Sequence, residues 1–130
     1  MRYKGFTILE LLVVIVLLGV GSWLFFSEKS RVDAIQRDVA RKTSINAMYY
    51  ALEEVFYEKN SYYPSAIDSK TLRSVDPALF ADPWGVKLGE SLSNYRYEGK
   101  DCSTDGRCGG YELQSSMERE EDFIKTHRNK

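Results

Sequence analysis

The first side chain positioned to do chemistry is Glu10, a lone charge inside the otherwise apolar run Phe6–Phe26. An ionised carboxylate in a segment of membrane length costs about 2–3 kcal/mol even on lenient insertion scales, so it calls for a partner and a purpose. The residues before it suggest both. Arg2 and Lys4 make a short basic stretch that ends at Gly5, which has no side chain to obstruct a peptidase pocket. Cleavage between Gly5 and Phe6 would create an α-ammonium on Phe6, a natural partner for Glu10. Further along, Cys102 and Cys108 are the two cysteines of the chain. A bridge between them would close a small loop and stabilise by about 2 kcal/mol on the chain-entropy model. Asp101 and Asp105 in the same loop could join carbonyls around Ca²⁺, but calcium takes six or more oxygens, and paired carboxylates are ordinary turn composition. No catalytic set is legible. There is one histidine, His127, no nucleophile–base pair and no glycine-rich phosphate loop. The sequence therefore predicts no cofactor, no metal and no enzyme activity.

Three plainer readings of the opening segment compete. Phe6–Phe26 is long enough to cross a hydrocarbon core as a simple signal anchor. It could instead be a secretory signal cut near Gly19-Val20-Gly21, although Trp23-Leu24-Phe25-Phe26 continues the apolar run past that point. A buried core helix would show a polar face, and residues 11–18 have none. None of the three accounts for Glu10. The opening MRYKGFTILE followed by LLVVIVLLGVGSWLFF resembles the class III signal of type IV prepilins and pseudopilins. On that resemblance Gly5 and Phe6 flank the prepilin peptidase cut, and Phe6 is the N-methylation site. Thr7 and Glu10 match the assembly positions. Gly19 falls where pilins commonly carry a helix-weakening glycine, so Gly19 and Gly21 become a candidate helix-melting segment. The proline that many pilins carry a few residues further on is absent here.

The remainder of the chain must hold these residues. At 130 residues there is room for one small domain beyond the stem. The formal net charge of −1 gives no electrostatic argument for nucleic acid. Nine tyrosines suggest both core and interface use. No proline precedes Pro64 and no glycine lies between Gly21 and Gly85, so one helix can run from about residue 6 to about 57, roughly 75–80 Å at the standard rise. After Phe26, Val32, Ile35, Val39, Ile45, Met48, Leu52, Val55 and Phe56 recur at three- and four-residue steps and predict a buried stripe. Arg31, Arg37, Asp38, Arg41 and Lys42 are then expected on the opposite face.

Asn60–Pro64 should end the helix. Asp76-Pro77 reads as an N-cap followed by proline at the first helical position. Asp82-Pro83-Trp84-Gly85 reads as a turn that sets an indole against the sheet. This turn and the Tyr63-Pro64 after the helix also resemble pilin and major pseudopilin heads. Three short strands are expected at 86–88, 94–98 and 110–114, with the hairpin between the last two stapled by the cysteines. The charged stretch 117–130 reads as a short solvated helix or as disordered.

The expected fold is α+β: a long N-terminal helix, transmembrane in its first half and amphipathic in its second, packed on a small antiparallel sheet. The expected divisions are a leader 1–5, a transmembrane and assembly segment 6–26, and a head 27–130. Basic residues before the span place the head outside the cytoplasm, where disulfides form. The resemblance implies a structural subunit of a type IV pilus, polymerising for adhesion, motility or DNA uptake. The alternatives are a type II secretion pseudopilin and, in another class, a membrane-anchored binding module. Implied partners are like subunits, the prepilin peptidase and the pilus or secretion assembly machinery. The inner membrane holds the precursor, and the cell surface holds the assembled fibre.

Overall fold

The computed structural model describes residues 5–128; the basic Arg2 and Lys4 and the last two residues of the charged tail lie outside the described residues. The chain forms two compact units, residues 1–34 and 35–130. Helix α1, Ile8–Tyr50, begins in the first and continues into the second. It passes into a π-helical turn, Ala51–Phe56, and then into α2, Tyr57–Asn60. Helical backbone thus runs from Ile8 to Asn60, a little later at both ends than the sequence predicts. Ser61 adopts the left-handed conformation and its N–H returns to the Tyr57 carbonyl at 2.7 Å, which stops the helix before Pro64.

The first unit is helix from Ile8 onward, and its side chains from Phe6 to Phe26 are exposed. The helix is long and apolar enough to cross a membrane.

The second unit is α+β. Four strands form one antiparallel sheet: β1 (Tyr63–Pro64), β2 (Tyr95–Cys102), β3 (Arg107–Ser115) and β4 (Phe123–Thr126). β3 is central and pairs with β2 along its length, from Tyr95 opposite Ser115 to Cys102 opposite Cys108. β1 pairs with the start of β3 and β4 with its end. Alternation along β3 turns Tyr111, Leu113 and Ser115 inward, where they meet Ile45, Met48 and Leu52 of the helix and Tyr63 and Tyr95 of the sheet. Burying each such large apolar side chain is worth about 1.5–3 kcal/mol. This core supplies the face on which the helix rests.

Several expectations are corrected. The stretch 117–130 is neither a helix nor disordered where described: it contributes β4, because Phe123 and Lys125 turn towards the helix and β3 offers a free edge. Residues 86–88 form no strand, only a single bridge between Ala81 and Lys87. Val32, Ile35, Val39 and Val55 are about half exposed and do not line the core. Asp38 and Arg41, expected on the solvent face, are each 1% exposed, because they neutralise one another within the fold. Trp84 is 63% exposed and lies under the Arg37 guanidinium at 4.8 Å, not against the sheet. The turn around it does form. The buried Asp82 carboxylate accepts the N–H groups of Trp84 (2.9 Å) and Val86 (3.0 Å) and the Asn94 side-chain amide (3.0 Å). Asp76 caps the short 3₁₀ turn Pro77–Phe80 through the Ala78 N–H, as expected.

Candidate assembly site

Thr7 is the N-cap of α1. Its hydroxyl oxygen accepts the Glu10 N–H at 3.3 Å and its carbonyl accepts the Leu11 N–H at 3.1 Å. The Thr7-Ile8-Leu9-Glu10 spacing is that of a capping box, of which the half from the Thr7 hydroxyl forms, so Thr7 has a structural task legible in the sequence. Glu10 falls in the first helical turn, where the helix dipole favours an anion. Its carboxylate has no hydrogen-bond or ion-pair partner among the described residues, while Leu9, Leu11 and Leu12 around it are exposed apolar surface. Gly5 and Phe6 precede the helix as exposed, non-helical backbone, the form in which a peptidase takes a chain. The helix continues through Gly19 and Gly21, and nothing stands within 4 Å of the place a Cβ would occupy at either.

In the head, the chain after β3 is strapped to the helix at two points. At the first, the Asp38 carboxylate accepts the backbone N–H groups of Glu118 and Arg119, each at 2.9 Å, and Arg41 Nη1 at 2.8 Å. Arg41 Nη2 reaches Glu118 at 2.9 Å, and Arg37 clasps the same carboxylate through two bonds of 2.7 Å. Burial pushes the Asp38 pKa up, but the two N–H donors and Arg41 outweigh it, and the net shift is downward. The Arg37 guanidinium, with Arg41 behind it, lowers Glu118 to about 2. At the second point, the π-helical turn presents the fully buried Glu53 inward. Glu53 accepts the hydroxyls of Tyr111 (2.9 Å) and Tyr63 (3.1 Å) and the Arg128 N–H (3.2 Å). Burial and the adjacent carboxylate hold both phenols well above their usual pKa. Arg128 continues to Glu54 and to the Tyr49 hydroxyl.

Two glycines make room for these contacts. A Cβ at Gly110 would meet the His127 ring at 2.5 Å, and one at Gly99 would meet the Cys108 sulfur at 2.7 Å. Cys102 and Cys108 are joined in a disulfide across the β2–β3 hairpin, next to its turn. Asp105 accepts the Ser103 hydroxyl and pairs with Arg107, and Asp101 sits in left-handed backbone conformation. Among the described residues no three His, Cys, Asp or Glu side chains converge as a metal site would require.

Of the strap residues, Glu53, Glu118 and Arg128 carry no signal in the sequence, and Asp38 and Arg41 are expected there on the solvent face. Asp38 and Arg41 do stand in step with Ile45, Met48 and Leu52, but a charged pair in that register reads as a solvated face until its partners, some 80 residues away, are known.

Residues 1–26 match the family described as the prokaryotic N-terminal methylation motif. No curated protein and no solved structure matches the chain. A motif of this kind implies processing by a prepilin peptidase and assembly into a pilus or secretion machinery, and it points to a structural protein. Residues 1–26 of this chain therefore carry the class III prepilin signal of type IV pilins and pseudopilins, ahead of an α+β head.

Proposed function

We propose that the chain is the structural subunit of a type IV pilus, cleaved between Gly5 and Phe6, methylated on Phe6 and polymerised through its N-terminal helix. The observation that carries this reading is the unrelieved exposure of Phe6–Phe26 around one unpaired carboxylate. Such a surface needs cover. Lipid supplies it before assembly, and parallel helices supply it afterwards, by close packing and by satisfying their polar groups. In a waterless core, an unpaired carboxylate is penalised far more heavily than one paired with a Phe6 ammonium. Glu10 then checks the register of each added subunit. Gly19 and Gly21 lower helix propensity by about 1 kcal/mol each relative to alanine. They are the place for the helix to loosen and extend within the fibre.

The Asp82–Gly85 turn resembles major pseudopilin heads as well, which keeps a second reading in view: a short periplasmic pseudopilus of a type II secretion system. Shearing cells, sedimenting the released material and weighing its subunit by intact mass spectrometry tests both. The pilus reading expects long surface fibres of a subunit starting at methylated Phe6. Cells with correctly processed subunit and no surface fibres favour the pseudopilus. A subunit that still carries Met1–Gly5 contradicts both.

A further inference from the structure

Two patches of the head, on different elements, carry opposite charge that forms no ion pair among the described residues. The first is a groove of about 180 Å³ beside the C-terminal end of the helix. Its floor is apolar, made by Val55, Phe56 and Leu72, and its rim carries Lys59, Lys70 and Arg73. Among the described residues, no carboxylate lies within ion-pair distance of these three cations. Asp68, close in sequence, accepts the N–H groups of Lys70 (2.9 Å) and Thr71 (2.7 Å) and feels the Lys70 charge without pairing to it, and Arg73 Nε donates to the Lys70 carbonyl at 3.4 Å. The second patch is the start of the strap. Glu121 and Asp122 are exposed and make no ion pair among the described residues, unlike Glu118 and Glu120 beside them. Ile124 follows on β4, half exposed and two residues after Asp122. It is an apolar side chain with two carboxylates next to it, and the groove is an apolar floor with three cations around it.

The two cannot meet within one chain. Phe123 and Lys125, on either side of Ile124, sit by Lys42 and Tyr49, whereas the groove is lined from residues 51–60 and 70–74 and by none of the strap, its middle roughly 15 Å further along the helix. We propose that they meet between copies: the groove rimmed by Lys59, Lys70 and Arg73 receives Ile124, Glu121 and Asp122 of a second copy of this chain. A contact between two different patches of identical chains is heterologous, and repeated in one direction it builds a filament and not a closed dimer. Charge complementarity of this kind fixes register and suppresses wrong pairings more than it adds affinity. The proposal rests on the fibre reading, in which heads are held side by side. It adds a contact outside the apolar stem.

The test uses the full-length chain in its membrane and in sheared material. Ser74→Cys, on the groove, and Thr126→Cys, on the outer face of β4, leave every charge in place, and the native cysteines are already bridged. With a short bis-maleimide, the doubly substituted chain should give a ladder beyond the dimer. The two singly substituted chains expressed together should give dimer alone. Reversing the rim (Lys70→Glu with Arg73→Glu) or the strap (Glu121→Lys with Asp122→Lys) should each lower fibre yield at least ~10-fold, and the combined reversal should return it to within ~3-fold of wild type. Wild-type fibres without a ladder, or reversals without mutual rescue, overturn this contact and leave the fibre reading intact. A wild type that makes no fibres contradicts the fibre reading, and the ladder in membranes then decides the contact alone: present, it stands; absent, it falls.

Discussion

Arg41 is buried between two carboxylates, Asp38 and Glu118, and its Nε makes no hydrogen bond of its own. The guanidinium therefore depends on both partners for compensation. Asp38→Ala removes one and also leaves the N–H groups of Glu118 and Arg119 without their acceptor. We expect a loss of about 3–5 kcal/mol in head stability, read by thermal or denaturant unfolding of the purified chain in detergent. Acid should act at the same place. Glu118 has a folded pKa lowered to about 2, from an ordinary value of 4.5. A lowered folded pKa contributes stability that is present above pH 4.5 and is lost as pH falls towards 2. Asp38, also shifted downward, adds to the same trend. Unfolding midpoints should be level from pH 7 to pH 5 and then decline. Glu118→Gln should start lower at pH 7 and decline less between pH 4.5 and pH 2; an unchanged decline would contradict the assignment.

The strap is the element that most shapes the head. It runs beside the helix in the same direction, from Glu118 on Arg37 and Arg41, through Phe123 and Lys125 near Lys42 and Tyr49, to Arg128 on Glu53 and Glu54. His127 is its keystone. The His127 N–H goes to the Tyr111 carbonyl and its ring Nδ1 accepts the Tyr111 N–H, both at 3.3 Å, over the bare Gly110. Gly110→Ala should lift that end of the strap, at a cost of about 1–3 kcal/mol. The expected readout is faster amide exchange at Tyr111 and protease cleavage after Lys125, with the disulfide intact by mass. Cys102→Ser with Cys108→Ser should cost about 2 kcal/mol without changing strand pairing. How much of this was legible follows from the range of each interaction. The helix, its end at Ser61, the Asp76 cap and the β2–β3 hairpin depend on neighbours in sequence and could be read from it. β4 could not, because a short charged stretch with Phe123 and Ile124 becomes a strand only when β3 presents an edge to it. Asp38 and Arg41 read as surface for the same reason. Their partners are the backbone and side chains of a segment some 80 residues downstream.

At the scale of the whole molecule, the chain divides its work between an apolar stem and an α+β head that closes a core of its own. Every apolar residue from Phe6 to Phe26 faces outward, while the head closes a core around Tyr63, Tyr95 and Tyr111. Glu10 is the one charged side chain within Phe6–Phe26. Leucine there would insert into a membrane more readily; on the fibre reading proposed above, the carboxylate is there to meet a neighbour's Phe6 ammonium. The most direct measurement is fibre yield from Glu10→Leu against wild type, at equal subunit levels in the membrane and with cleavage after Gly5 verified by intact mass. The account predicts normal insertion, processing and head folding with fibres reduced at least ~10-fold, and Glu10→Gln intermediate at best, since it bonds without neutralising. Wild-type quantities of fibre from Glu10→Leu would contradict the pairing mechanism and return Phe6–Phe26 to the role of a plain anchor.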